Sequence, residues 1–151
     1  MQEVVKSKFE QTIMGNLTSN GELLDLEDKN IGPEELSLLC DAEDLSSVKQ
    51  LFLSQNQLCG ESIEILSRVK GLTGLVSLYL NNNIIGDEEA KVLANAEVFK
   101  NLKCLMLEAN QIGADGVGSF ATSLNLGNLE TLFLDSNPIG PEGATALSMS
   151  T

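Results

Sequence analysis

Chemistry in a protein begins with side chains that can move a proton, attack a carbonyl or hold a metal, and this chain carries few of them. It has no His, which removes Ser-His and Cys-His nucleophiles, imidazole acid/base pairs and His metal sites on inventory alone. Three cysteines remain, Cys40, Cys59 and Cys104. They are odd in number, far apart and without CxxC spacing, so neither a disulfide framework nor a zinc site is expected. Cys59 falls in a predicted loop with no neighbouring cation to depress its pKa. Cys40 aligns with the small residues Ser67, Ala94 and Ala121, and it and Cys104 are expected as small buried hydrophobes. Unpaired thiols favour a reducing compartment, and Met1-Gln2-Glu3-Val4-Val5-Lys6 lacks a secretory pattern, so a cytoplasmic location is expected. The tripeptide Asn16-Leu17-Thr18 arises too easily by chance to indicate glycosylation.

Charge narrows the field further. Asp and Glu number 22 against 9 Lys and Arg, for a net charge of −13 over 151 residues. Such a chain repels phosphate backbones and anionic lipid, so no nucleic-acid or membrane role is expected, and a partner with basic surface is favoured. Its 42% hydrophobic content is ordinary for a folded protein and argues against disorder. No apolar run approaches the ~18 residues of a membrane span. The acids are ordered, however: Glu34, Glu61, Glu88, Asp115 and Glu142 recur every 27 residues. A row of carboxylates could bind Ca²⁺, but units this far apart chelate poorly and no loop alternates Asp and Asn. Pro33 and Pro141 precede two of the acids, which suits the first turn of a helix, where proline and carboxylates are both favoured. No metal, cofactor or catalytic residue is assigned.

The elements positioning these residues follow from an internal repeat. Leu-x-Leu recurs at Leu24/Leu26, Leu51/Leu53, Leu78/Leu80, Leu105/Leu107 and Leu132/Leu134, always 27 apart. Asn56, Asn83, Asn110 and Asn137 stand five residues after the first Leu, with Ile31, Leu58, Ile85, Ile112 and Ile139 two further on. Leu36/Leu39, Ile63/Leu66, Ala90/Leu93, Val117/Phe120 and Ala144/Leu147 close each unit. A period of two predicts a short strand, and the later pair spaced by three predicts one face of a helix. A unit this short cannot bury its own apolar face, so the units must stack as a solenoid. The Asn column is expected to satisfy backbone groups where the chain turns inward. Gly32, Gly86, Gly113 and Gly140 are expected to supply a positive φ or a crowded turn.

The segments Leu78-Tyr-Leu-Asn-Asn-Asn-Ile-Ile-Gly86-Asp-Glu-Glu-Ala90, Leu105-Met-Leu-Glu-Ala-Asn-Gln-Ile-Gly113-Ala-Asp-Gly-Val117 and Leu132-Phe-Leu-Asp-Ser-Asn-Pro-Ile-Gly140-Pro-Glu-Gly-Ala144 resemble the leucine-rich-repeat family, in its ribonuclease-inhibitor-like subclass. The resemblance spans roughly residues 20 to 148. It departs at Lys29-Asn30, where Asn comes one residue late, and at Cys59-Gly60, where Gly does. It implies an α/β solenoid, curved, with a parallel strand ladder on the concave face and helices on the convex face. Functions in that family range over inhibitors, immune sensors, actin regulators and activators of small GTPases.

One domain, 1–151, is therefore expected: residues 1–19 as an N-terminal helix or partial capping repeat with Val5, Phe9 and Ile13 at helical spacing, and 20–151 as five repeats, the last one short. The last layer, Leu132, Leu134, Ile139 and Leu147, has no following repeat before Ser148-Met149-Ser150-Thr151, so self-association through an uncapped C-terminal repeat, or a longer native array, is expected. The residue between the strand leucines should face the inner wall, and its column reads Asp25, Phe52, Tyr79, Met106 and Phe133. It holds three of six aromatic residues, five Phe and one Tyr. Two positions along stand Glu27, Ser54, Asn81, Glu108 and Asp135. Phe52, Tyr79, Met106, Phe133, Asn81, Glu108 and Asp135 are the candidate partner-binding residues, for a protein presenting basic and apolar side chains. The expected function is a non-enzymatic protein-interaction module. Alternatives are a piece of a larger receptor or regulator, or a GTPase-activating accessory domain; an outward Arg or Asn with no structural column would mark the latter, and only Arg68 exists, on a predicted helix.

Overall fold

The computed structural model describes residues 1–42 and 45–150; Thr151, part of the expected domain, lies outside the described residues. The order is α1 (Gln2–Asn16), β1 (Leu23–Asp25), α2 (Pro33–Cys40), β2 (Gln50–Phe52), α3 (Gly60–Leu66), β3 (Ser77–Tyr79), α4 (Asp87–Asn95), β4 (Cys104–Met106), α5 (Ala114–Ala121), β5 (Thr131–Phe133) and α6 (Gly140–Ser148). Short 3-10 turns occupy Lys70–Leu72 and Glu97–Phe99. The five strands form one parallel sheet in chain order. Its register sets Leu24, Leu51, Leu78, Leu105 and Leu132 opposite one another from strand to strand. Helices α2 to α6 stack in the same order, giving a leucine-rich-repeat-like solenoid.

Side-chain alternation explains why the sheet and helices share one core. Leu51 and Leu53 are buried with Leu58, Ile63 and Leu66 from the following loop and helix, and the same set recurs in the third and fourth units. Burying each leucine stabilises the fold by about 1.5–3 kcal/mol. At the N-terminal end, Phe9 (4% exposed) and Ile13 (8%) of α1 cover Leu24 and Leu26. Val5 does not join them and is exposed, because α1 docks through its C-terminal half, where Leu17 bridges to Leu24, while Val5 lines an open groove with Leu38 of α2.

The loop glycines divide between the two roles expected of them. Gly32, Gly86 and Gly113 have φ of −121°, −107° and −99° and precede their helices in extended conformation. Only Gly140 among the four is left-handed, at 61°. What limits the side chain at Gly113 is crowding, since an added Cβ would stand 3.1 Å from the Asp87 carboxylate. The positive φ sits instead just before the Asn column, at Asp28, Gln55, Asn82, Ala109 and Ser136, none of them glycine. Cys40 is also exposed and Cys104 half-buried, not core residues. Cys40 is the last residue of α2, next to the C-cap Asp41, and a small residue at a helix end is not held in the core as Leu36 and Leu39 are.

Candidate functional site

The Asn column holds successive units together. Asn83 Nδ2 donates to Leu53 O (3.1 Å) and Leu80 O (2.9 Å), while its Oδ1 accepts from the N–H groups of Asn56 (3.0 Å) and Leu58 (2.9 Å). Asn56 does the same for the first two units, accepting from Lys29 and Ile31. Asn110 and Asn137 repeat the donor pattern and accept from Ile85 and Ile112. Each amide satisfies carbonyls that have left the sheet ladder, which is a structural role. Asn30, one position late, takes a left-handed φ of 53° and stays outside this ladder.

The acidic column lies in the first turns of α2 to α6, as helix-start chemistry requires, and Glu34, Glu61, Glu88, Asp115 and Glu142 are all exposed. Other acids make the cap bonds. Glu35 accepts from Gly32 N–H (2.9 Å), and Glu89 accepts from Gly86 N–H (2.8 Å) and from Gly60 N–H (3.0 Å) of the preceding unit. Asp87 reaches forward to the N–H groups of Gly113 (2.7 Å) and Gly116 (2.9 Å). Sequence reasoning missed Asp87 because its position holds an acid only in that unit. Its signal was the Gly116 that makes room for it: a Cβ there would sit 2.6 Å from the carboxylate and 2.8 Å from Ile112. Among the described residues no group of three or more His, Cys, Asp or Glu could hold a metal.

Partial desolvation raises the Cys40 and Cys104 thiols above their ordinary pKa, exposed and half-buried as they are, with Asp41 adding to the rise at Cys40. Both therefore stay protonated at neutral pH, the opposite of an activated nucleophile.

The candidate binding residues are brought together by the sheet. Asp25, Phe52, Tyr79, Met106 and Phe133 are partners in register on successive strands. Leucines on either side point into the core, so these side chains stand on the other surface of the sheet. Phe52, Tyr79 and Met106 are half-buried, and Phe133 is 36% exposed. The rings of Phe52 and Tyr79 stack in parallel, centroids 4.0 Å apart and planes 5° from coplanar. Two residues on, Asn81 Nδ2 donates to Glu108 Oε2 (3.1 Å) and Glu108 N–H donates back to Asn81 Oδ1 (2.8 Å). Gln55 donates to Glu27 Oε1 (2.7 Å), a pairing across strands that the sequence did not suggest. Asp25 accepts from Glu27 N–H (3.0 Å). The carboxylate of Asp135 has no such partner among the described residues.

With that geometry in view, comparisons with known proteins bear on it at two levels. A leucine-rich-repeat family model matches residues 125–148. The tropomodulin C-terminal domain of Caenorhabditis elegans superposes with a TM-score of 0.68 at 12% identity, over 96% of this chain and 90% of its own. The first finding supports a leucine-rich repeat at those residues, and the second a leucine-rich-repeat-like fold over nearly the whole chain. An internalin from Listeria monocytogenes is 21% identical over 76% of this chain and 49% of its own, but its TM-score of 0.27 is too low to bear on the fold. No curated protein matches the sequence. No helix among the described residues is long and apolar enough to cross a membrane.

Proposed function

We propose that this chain is a non-enzymatic, cytoplasmic protein-interaction module, a single domain of 27-residue repeats in the ribonuclease-inhibitor-like style, with residues 1–19 as its cap. Its strands line a concave face that binds a protein partner and its helices form the convex one. One observation carries the reading: Phe52, Tyr79, Met106 and Phe133 form a continuous apolar row on the sheet surface turned away from the core. Packing of the fold does not require large apolar groups there. The stacking of Phe52 on Tyr79 accounts for two of them by mutual shielding, and Met106 and Phe133 remain in excess of it. Glu27, Glu108 and Asp135 beside the row favour a partner that offers basic as well as apolar side chains.

The test is capture of partners from lysate with the wild-type chain and with the Tyr79→Ala/Phe133→Ala double variant, followed by affinity measurement on what the wild type retains. Losing rings from a hot spot weakens binding by about tenfold or more, with the melt barely changed. A double variant that retains the same partner at the same affinity would turn attention to the convex helices or α1. Half-burial of Leu132, Ile139 and Leu147 also supports pairing of the surface beyond β5 with more apolar surface, a second copy or further repeats. Sedimentation across a concentration series reads the first of these directly.

A further inference from the structure

The two halves of the strand face are unequally committed, and the difference deepens the binding reading on which this inference rests. In the first half Phe52 and Tyr79 cover each other, and Glu27 is held by Gln55 while Asp25 is held by the Glu27 amide. In the second half Phe133 has no ring partner among the described residues and is the most exposed of the apolar row, next to Met106 in register. Asp135 stands two residues beyond Phe133, just past the end of β5, where extended geometry would set its Cα about 6–7 Å from that of Phe133 and its side chain on the same surface. Glu108 stands across from it, since Ala109 N–H bonds to Asp135 O at 2.9 Å. Like charges on adjacent strands repel, an unfavourable term that a bound cation reverses. Along β4 and β5 the face therefore runs from an apolar ledge to two carboxylates.

We propose that Phe133, Asp135, Met106 and Glu108 form the seat for one arginine of the partner, flanked by an apolar residue. The guanidinium lies over the Phe133 ring and forks onto Asp135, with Glu108 adding charge, while the neighbouring apolar side chain rests on Met106. Arginine suits this seat better than lysine because a planar guanidinium stacks on a ring and bonds a carboxylate through two N–H groups at once.

A random 12-residue peptide library displayed on phage and selected on the full chain supplies the probe. Enriched peptides are expected to share an arginine beside an apolar residue, and exchanging that arginine for lysine is expected to weaken binding about fivefold or more. Asp135→Asn, which keeps shape and removes charge, is expected to weaken the arginine peptide about tenfold and to abolish its preference over the lysine form. The Phe52→Ala/Tyr79→Ala variant is expected to weaken both peptides alike and leave the preference intact. If Asp135→Asn leaves the preference unchanged while the ring variant weakens binding, the arginine seat is wrong and the strand-face reading stands. If neither variant, nor Phe133→Ala, alters binding, or if no enriched peptide depends on this face, both are wrong.

Discussion

The two ends of the solenoid carry the same kind of layer and bury it very differently. At the N-terminal end Leu24, Leu26, Ile31, Leu36 and Leu39 are as inaccessible as the middle of the stack, because α1 lays Phe9 and Ile13 against them. The edge of β1 is also occupied: Thr18 N–H donates to Leu23 O (2.9 Å) and Leu23 N–H to the Thr18 hydroxyl (3.0 Å). At the C-terminal end Leu129, Leu132, Ile139 and Leu147 remain half-buried, Leu129, Leu132 and Leu147 around a cleft that also reaches Phe120 and Leu126, and β5 pairs on one side only among the described residues. Equal sequence patterns thus yield unequal burial, because in a stack each unit is completed by its neighbour and not by itself.

The sharpest way to break that comparison is to remove the cover. Phe9→Ala is expected to destabilise by about 3 kcal/mol in urea unfolding, since it opens a cavity over the first layer, whereas Leu147→Ala is expected to cost about 1 kcal/mol because its side chain is already part-exposed. Equal losses would mean that the two ends are covered alike. The asparagine ladder gives a second contrast. Asn83→Ala strands carbonyls and amides of two buried units and should cost about 3 kcal/mol, against about 1 kcal/mol for Asn137→Ala, where water reaches the loop. Thermal melts of the pair decide this. Smallest is Ala109→Gly, which relieves a left-handed residue at φ 54° and should raise stability by about 0.5 kcal/mol. Ser136→Gly, at φ 59°, should gain about as much. A large difference between those two would show that loop strain also depends on the end.

How much of this was legible varies by element. The Leu-x-Leu positions and the later apolar pair located β1 to β5 and α2 to α6, since periods of two and of three to four leave a direct imprint on sequence. The Asn column likewise announced its place. The glycines were legible only as a pair of alternatives, because a missing Cβ answers either to a positive φ or to a close neighbour: Gly140 takes the first at φ 61°, and Gly113 the second, beside a carboxylate 26 residues away. Cys40 misled because a column of small residues does not by itself ensure burial, and Val5, at helical spacing with Phe9 and Ile13, stays exposed because α1 docks through its C-terminal half.

The sequence by itself therefore determined the repeat, the kind of element at each step, and the set of side chains on the outer surface of the sheet, because all of these follow from the spacing of residues within a unit. Only the tertiary structure decided which members of that set are committed to one another. The Phe52 and Tyr79 stack, the Asn81 and Glu108 pair and the uncommitted Phe133 and Asp135 depend on rotamers chosen between neighbouring strands. Those choices are made across 27 residues of chain by packing and hydrogen bonding, at distances that periodicity does not encode.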